Sequence, residues 1–134
     1  MDTVSNMLTM IKNASAVERP TISVPYTNLK YEVAKILAGK GFVEKVEKKS
    51  RKIQKSVKTQ PCLEITLKYE NGMPAMGGFK KISKPGQRMY LPYSKIRKVK
   101  QGYGIGIIST SKGLMTGSDA RRKKIGGELM CEVW

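Results

Sequence analysis

The chemistry most concentrated in this 134-residue chain is a run of three hydroxyls followed by a cation and a glycine, Ser109-Thr110-Ser111-Lys112-Gly113. Each hydroxyl is both donor and acceptor, so the run suits a surface carrying phosphates, 2′-hydroxyls and base edges. Lys112 adds positive charge beside them, and Gly113 lets the backbone turn or approach a ligand closely. Just upstream, Ile105, Ile107 and Ile108 read as a buried strand that opens into the hydroxyls. The competing reading of the same residues is a turn in which the hydroxyls satisfy their own backbone.

Composition narrows what surrounds that run. The chain holds 26 Lys and Arg against 10 Asp and Glu, a formal net charge of +16, which points to a polyanionic partner. Divided at residue 74, the first part carries 13 basic and 7 acidic residues, or +6, and the remainder 13 and 3, or +10. The hydroxyl run belongs to the more strongly charged part. Histidine is absent, which removes His-based triads, most catalytic zinc sites and the commonest general base. The carboxylates are scattered, without paired-acid or calcium-loop spacing. No enzyme, cofactor, metal site or small-molecule substrate is expected. The start lacks the basic and apolar pattern of a signal peptide, and the apolar runs are far too short to span a bilayer, so a soluble chain without a membrane partner is expected. Cys62 and Cys131 both sit in strand-like patterns and read as small core residues of a reducing compartment.

The elements that must position these residues follow from periodicity. Val4, Met7, Leu8 and Ile11 recur at helical spacing from Thr3 to about Val17, with Asp2 or Thr3 as cap and Thr9, Lys12 and Asn13 on the other face. Thr21 to Val24 is a short strand. A second helix begins at Asn28, with Leu29, Val33, Ile36 and Leu37 on one face. Phe42 to Glu47 and Cys62 to Tyr69 read as strands, joined by a basic hairpin excursion at 48–60 that holds six cations and no acid and is able to ride on phosphates. Asn71-Gly72 marks a turn, and Met73 to Gly78 is the expected connection between two parts, residues 1–72 and 73–134. Beyond it come a strand at Phe79 to Ser83, a turn at Lys84-Pro85-Gly86, an extended piece at Arg88-Met89-Tyr90 and one helical turn within Pro92 to Lys98. Ser118 is the expected cap of a short helix ending in Arg121 to Lys124, and Leu129, Cys131 and Val133 alternate in a final strand.

Ile107-Ile108-Ser109-Thr110-Ser111-Lys112-Gly113-Leu114-Met115-Thr116, then Ala120-Arg121, then Gly126-Gly127-Glu128-Leu129-Met130-Cys131, resembles the signature of the bacterial-type family of small-subunit ribosomal protein eight. Met7 to Asn13, Gly41-Phe42-Val43 and Ser83 to Tyr90 agree with it, so the resemblance covers essentially the whole chain. Met10 departs where the family usually has a basic residue, Gly117 where it has Asp, and Glu132 where it has an aromatic; the basic hairpin is also longer.

The resemblance implies an α+β fold of two small packed subdomains, the first α-β-α-β-β and the second mostly β with a short helix. It implies a structural constituent of the small ribosomal subunit that binds the central domain of 16S ribosomal RNA directly and helps organise the platform, beside neighbouring small-subunit proteins. Bacterial members can also bind their own messenger RNA and repress its translation. The implied location is the ribosome of the cytoplasm, or of an organelle interior. Carried over residue by residue, RNA contact falls on Ser109, Thr110, Ser111, Lys112, Arg88, Tyr90, Gly127 and Glu128, with Thr9, Lys12, Asn13 and Lys30 as candidates in the first subdomain. Tyr90 either stacks on a base or is core, and Glu128 either accepts from a base amino group or braces the hydroxyl loop. A general polyanion binder is the alternative reading.

Overall fold

The computed structural model describes residues 3–52, 59–84 and 86–134. The expected cap at Asp2, the middle of the basic excursion and Pro85 lie outside them. The chain divides into two compact units, Met1–Met76 and Gly77–Trp134.

In the first unit the order is α1 (Thr3–Ala16), β1 (Thr21–Pro25), α2 (Asn28–Gly39), β2 (Val43–Lys52) and β3 (Thr59–Leu67), followed by the small hairpin β4 (Tyr69–Glu70) and β5 (Met73–Pro74). Helix α1 buries Val4, Met7, Leu8, Ile11 and Ala14, the apolar stripe that its spacing dictates. The buried stripe of α2 is Lys30, Val33, Ala34 and Leu37. This corrects the sequence reading of that helix: Leu29 is 39% exposed, and Lys30 occupies a core-facing position with 8% exposure. Thr27 caps α2, its side chain accepting from the Lys30 N–H at 3.1 Å. An antiparallel sheet ordered β1-β3-β2 supplies Ile22, Val24, Val43, Leu63, Ile65 and Leu67 to the same core. The basic excursion is more regular than expected, because β2 and β3 stay paired as far as Lys52 opposite Thr59. At Asn71-Gly72 both residues take left-handed dihedrals, φ 53° and 78°, the geometry of a tight two-residue hairpin.

The second unit runs β6 (Phe79–Lys81), β7 (Tyr90–Leu91), two 3-10 turns at Tyr93–Lys95 and Lys100–Gly102, β8 (Ile105–Thr110), β9 (Gly113–Thr116), α3 (Gly117–Arg122) and β10 (Gly127–Val133). All pairings are antiparallel, and β10 is central: it pairs along one edge with β8, and along the other with β6 through its C-terminal half and β7 through its first two residues. The expected alternation of Leu129, Cys131 and Val133 breaks at a bulge between Leu129 and Cys131. One extra residue switches the facing of the strand. Leu129 therefore shares a face with Ile108, packing with Leu91, Ile96, Met115 and Ala120, whereas Cys131 and Val133 share the other with Ile107 and Ile105.

The cap of α3 is Thr116, not the expected Ser118, because the helix begins at Gly117. Its Oγ1 accepts from the Asp119 N–H at 3.2 Å while only 3% of Thr116 is exposed. Gly117, where the resembled family has Asp, is buried with Ile96 Cγ2 only 2.9 Å from where a Cβ would stand. Thr116→Ala is expected to lower stability by about 1 kcal/mol, read as a shifted chemical-denaturation midpoint, with Thr116→Ser losing much less.

Candidate nucleic-acid interface

The hydroxyl run is the tip of a hairpin. Ser109 and Thr110 continue β8 and pair with Leu114 and Gly113, which leaves Ser111-Lys112 as a two-residue turn. Ser111, Lys112 and Gly113 are exposed, while Ser109 and Thr110 are half-buried. The Thr110 hydroxyl donates to the Gly113 carbonyl at 2.8 Å and accepts from the Lys112 N–H at 3.1 Å. For Thr110 the self-satisfying turn is therefore realised, with one acceptor lone pair beyond these two bonds. Gly113, at φ 103°, takes a conformation that side chains resist. Thr110→Val should loosen this turn by roughly 1 to 2 kcal/mol, two modest internal bonds, and equilibrium unfolding measures it.

Across the sheet from that tip, register collects residues that are far apart in the chain. Glu128 on β10 stands directly opposite Ser109 on β8 and opposite Tyr90 on β7. Opposed side chains of antiparallel strands share a face, so Tyr90, Glu128 and Ser109 form one row. Arg88 reaches into this row, its Nη1 donating to Glu128 Oε2 at 3.2 Å. Tyr90 is 68% exposed on a two-residue edge strand, which removes the core reading and leaves its ring open for stacking. For Glu128 the bracing contact goes to Arg88, holding a guanidinium edge beside the row.

Two glycines make this geometry attainable. A Cβ on Gly127 would lie 2.2 Å from the Ser109 carbonyl oxygen, and one on Gly126 would lie 2.5 Å from the Leu91 carbonyl oxygen. The role visible for Gly127 is thus to let β10 close on β8. Sequence reading missed Ser83, which is 5% exposed and accepts from the Met89 N–H at 2.9 Å. Together with the reciprocal bonds between Lys84 and Gln87 and the Leu129 N–H to Met89 carbonyl bond, it clips the Arg88–Tyr90 segment to β10. A serine opening a Pro-Gly turn was the available signal.

In the first unit Thr9, Lys12 and Asn13 share an exposed face of α1, although the Thr9 hydroxyl donates to the Ser5 carbonyl at 2.8 Å. Lys30 does not join them at the surface. Its Nζ donates to the Pro25 carbonyl at 3.1 Å, tying α2 to the end of β1. The stem of the basic excursion and the strand that leads into it are also partly engaged: Lys49 pairs with Glu64 at 3.1 Å, the Lys48 ammonium lies 4.2 Å from the centre of the Tyr26 ring, and just before them Lys45 pairs with Glu47 at 2.9 Å. The hydrogen bond from Lys45 holds the Glu47 carboxyl below its ordinary pKa, and the bond to Glu64 holds the Lys49 ammonium above its own. A lowered carboxyl contributes above its ordinary pKa and fades as pH falls; a raised ammonium contributes below its ordinary pKa and fades as pH rises. Both contributions are in place at neutral pH, and both are screened by salt.

The comparisons with known proteins bear on what such a sheet is for. A family model described as "Ribosomal protein S8" matches residues 2–134. The chain belongs to that family. It is 43% identical over 135 residues to the small ribosomal subunit protein uS8 of Rippkaea orientalis, covering 99% of this chain and 97% of that protein. The uS8 protein of Nitratidesulfovibrio vulgaris strain Miyazaki F is 41% identical, with 99% and 98% covered. The protein uS8c of Angiopteris evecta is 42% identical over 99% of this chain and 98% of its own. Membership makes the chain a structural, non-enzymatic component of the small ribosomal subunit, a ribonucleoprotein part of the translation machinery. No helix among the described residues is long and apolar enough to cross a membrane.

Proposed function

We propose that the chain binds the central domain of 16S ribosomal RNA directly, through the β8–β9 tip and the adjoining row on β7 and β10, and that it helps organise the platform during assembly. The single observation that supports this reading is the row Tyr90, Glu128, Ser109: three strands bring an open ring, a guanidinium-braced carboxylate and a hydroxyl together beside the exposed Ser111 and Lys112. Such a surface suits RNA, whose irregular minor groove offers 2′-hydroxyls and base edges and whose unstacked bases offer faces. The surrounding cations supply attraction that does not depend on sequence. Thr9, Lys12 and Asn13 on α1 are proposed as contacts of the first unit, whereas Lys30 serves the fold. A similar structure in the chain's own messenger would be bound by the same face and repress translation.

The test is a hydroxyl-radical footprint of the pure chain on full-length 16S ribosomal RNA, with an unrelated structured RNA as competitor. The expected result is protection confined to the central domain that survives the competitor. Protection spread over the RNA and removed equally by the competitor would mark a general polyanion binder and overturn the reading.

A further inference from the structure

Between Glu70 and Asp119 the chain carries no acidic residue but nine Lys and Arg. Part of that interval has no role in the hairpin tip or its row: the connection from β7 to β8, residues 92–104. It exposes Lys95, Arg97, Lys98 and Lys100 together with Tyr93 and Tyr103, while Ile96 and Val99 are buried and fasten it to the unit. Tyr103 is 86% exposed, the most open of the large apolar side chains among the described residues.

The backbone is built to put it there. Lys100, Gln101 and Gly102 take φ of 48°, 57° and 99°, three left-handed residues in succession, two of which carry side chains that disfavour the conformation. The turn is closed by Gly102 and Gly104 N–H groups donating to the Val99 carbonyl and by Tyr103 N–H donating to that of Lys100. Gly104 is pressed against the sheet, where a Cβ would lie 2.6 Å from the Val133 carbonyl oxygen. Its neighbour Tyr103 stands outward. The Lys100 ammonium is held 4.5 Å from the centre of the Trp134 ring, which leaves Arg97 and Lys98 as the exposed cations of the connection nearest in sequence to the turn.

We propose that this connection is a second RNA contact, in which Tyr103 stacks on an unpaired base while Arg97 and Lys98 hold its flanking phosphates. An exposed ring that follows a run of cations, with no acid on the segment, fits a strand that offers π-faces and phosphates, and every base can stack. The contact is separate from the hairpin tip. Tyr103 precedes β8 and Ser111 follows it, so the two lie at opposite ends of a strand about 20 Å long. The proposal rests on the RNA-binding reading above only for the claim that both contacts serve one RNA.

The experiment measures binding of the full chain to two probes, a transcript of the 16S central domain and a short single-stranded oligoadenylate, for the wild type, Tyr103→Ala and Tyr103→Phe. Tyr103→Ala is expected to weaken both by roughly 5- to 150-fold, and Tyr103→Phe to bind as the wild type does. An unchanged melting temperature would show that Tyr103→Ala is folded. Wild-type affinity for both probes in Tyr103→Ala would overturn the proposal. So would unchanged RNA binding combined with poorer incorporation into reconstituted subunits, which would mark a protein contact. If the wild type did not prefer the transcript to the oligoadenylate, the hairpin reading would fail. Loss of oligoadenylate binding in Tyr103→Ala would still uphold the stacking contact.

Discussion

Gly127→Ala should both destabilise the second unit and abolish specific RNA binding, although it adds a single methyl group. The added carbon would meet the Ser109 carbonyl oxygen at 2.2 Å and Ile108 Cγ2 at 3.0 Å. Carbonyl backbone cannot rotate away as a flexible side-chain end can, so strands β10 and β8 must separate at their Glu128–Ser109 pairing. Overpacking a well-filled site typically costs 1 to 3 kcal/mol, and a backbone clash this close belongs at the upper end, about 3 kcal/mol or more. Against a total stability of roughly 5 to 15 kcal/mol that is a large fraction. Chemical denaturation measures the first effect and a filter-binding titration on the 16S central domain the second. Gly39→Ala is the control: nothing stands within 4 Å of a Cβ there, and its stability should hold or rise. If Gly127→Ala kept wild-type stability and affinity, the close approach of the two strands would not be a requirement of the site.

The second large effect separates shape readout from charge. Replacing Ser109, Thr110 and Ser111 together by Ala should weaken binding to the 16S central domain by about 3 kcal/mol, roughly a hundredfold, because RNA polar groups would face methyls. Binding to unrelated RNA and the dependence on salt should barely change, since no charge is lost. Neutralising Lys48, Lys49, Arg51, Lys52, Lys55 and Lys58 to Gln should do the reverse, weakening all RNA alike. Each lost phosphate contact should flatten the plot of log affinity against log salt by about 0.7 to 0.9. Because Lys49 already faces Glu64 and Lys48 already faces the Tyr26 ring, the slope should fall by less than six full contacts require. A hairpin variant that lost its preference for the central domain, with the triple-Ala variant retaining it, would move specificity to the excursion.

Much of the fold was legible in the sequence because local patterns carried it. The 3-4 spacing of Val4, Met7, Leu8 and Ile11 dictates a helix buried on one side, and all four are buried. Asn71-Gly72 specifies a tight hairpin because both positions require positive φ, and both have it. The charge bias and the family signature point to a small-subunit ribosomal component, and the family match bears that out. Periodicity failed where a single residue is decided by what lies against it. Lys30 falls on the core side of α2 because the end of β1 brings the Pro25 carbonyl within 3.1 Å of its ammonium, and no local pattern records that.

The sequence alone determined which chemistries are available: hydroxyls, cations and aromatic rings, without histidine. Only the tertiary structure decided which of them lie together. Tyr90, Glu128 and Ser109 are separated by as many as 38 positions in the chain, and they meet because antiparallel pairing of β7, β10 and β8 sets one register. That register is fixed by long-range hydrogen bonds, by the bulge at Met130 that reverses the facing of half a strand, and by two glycines that let backbones touch. Each of these is a relation between distant segments, so no window of the sequence contains it.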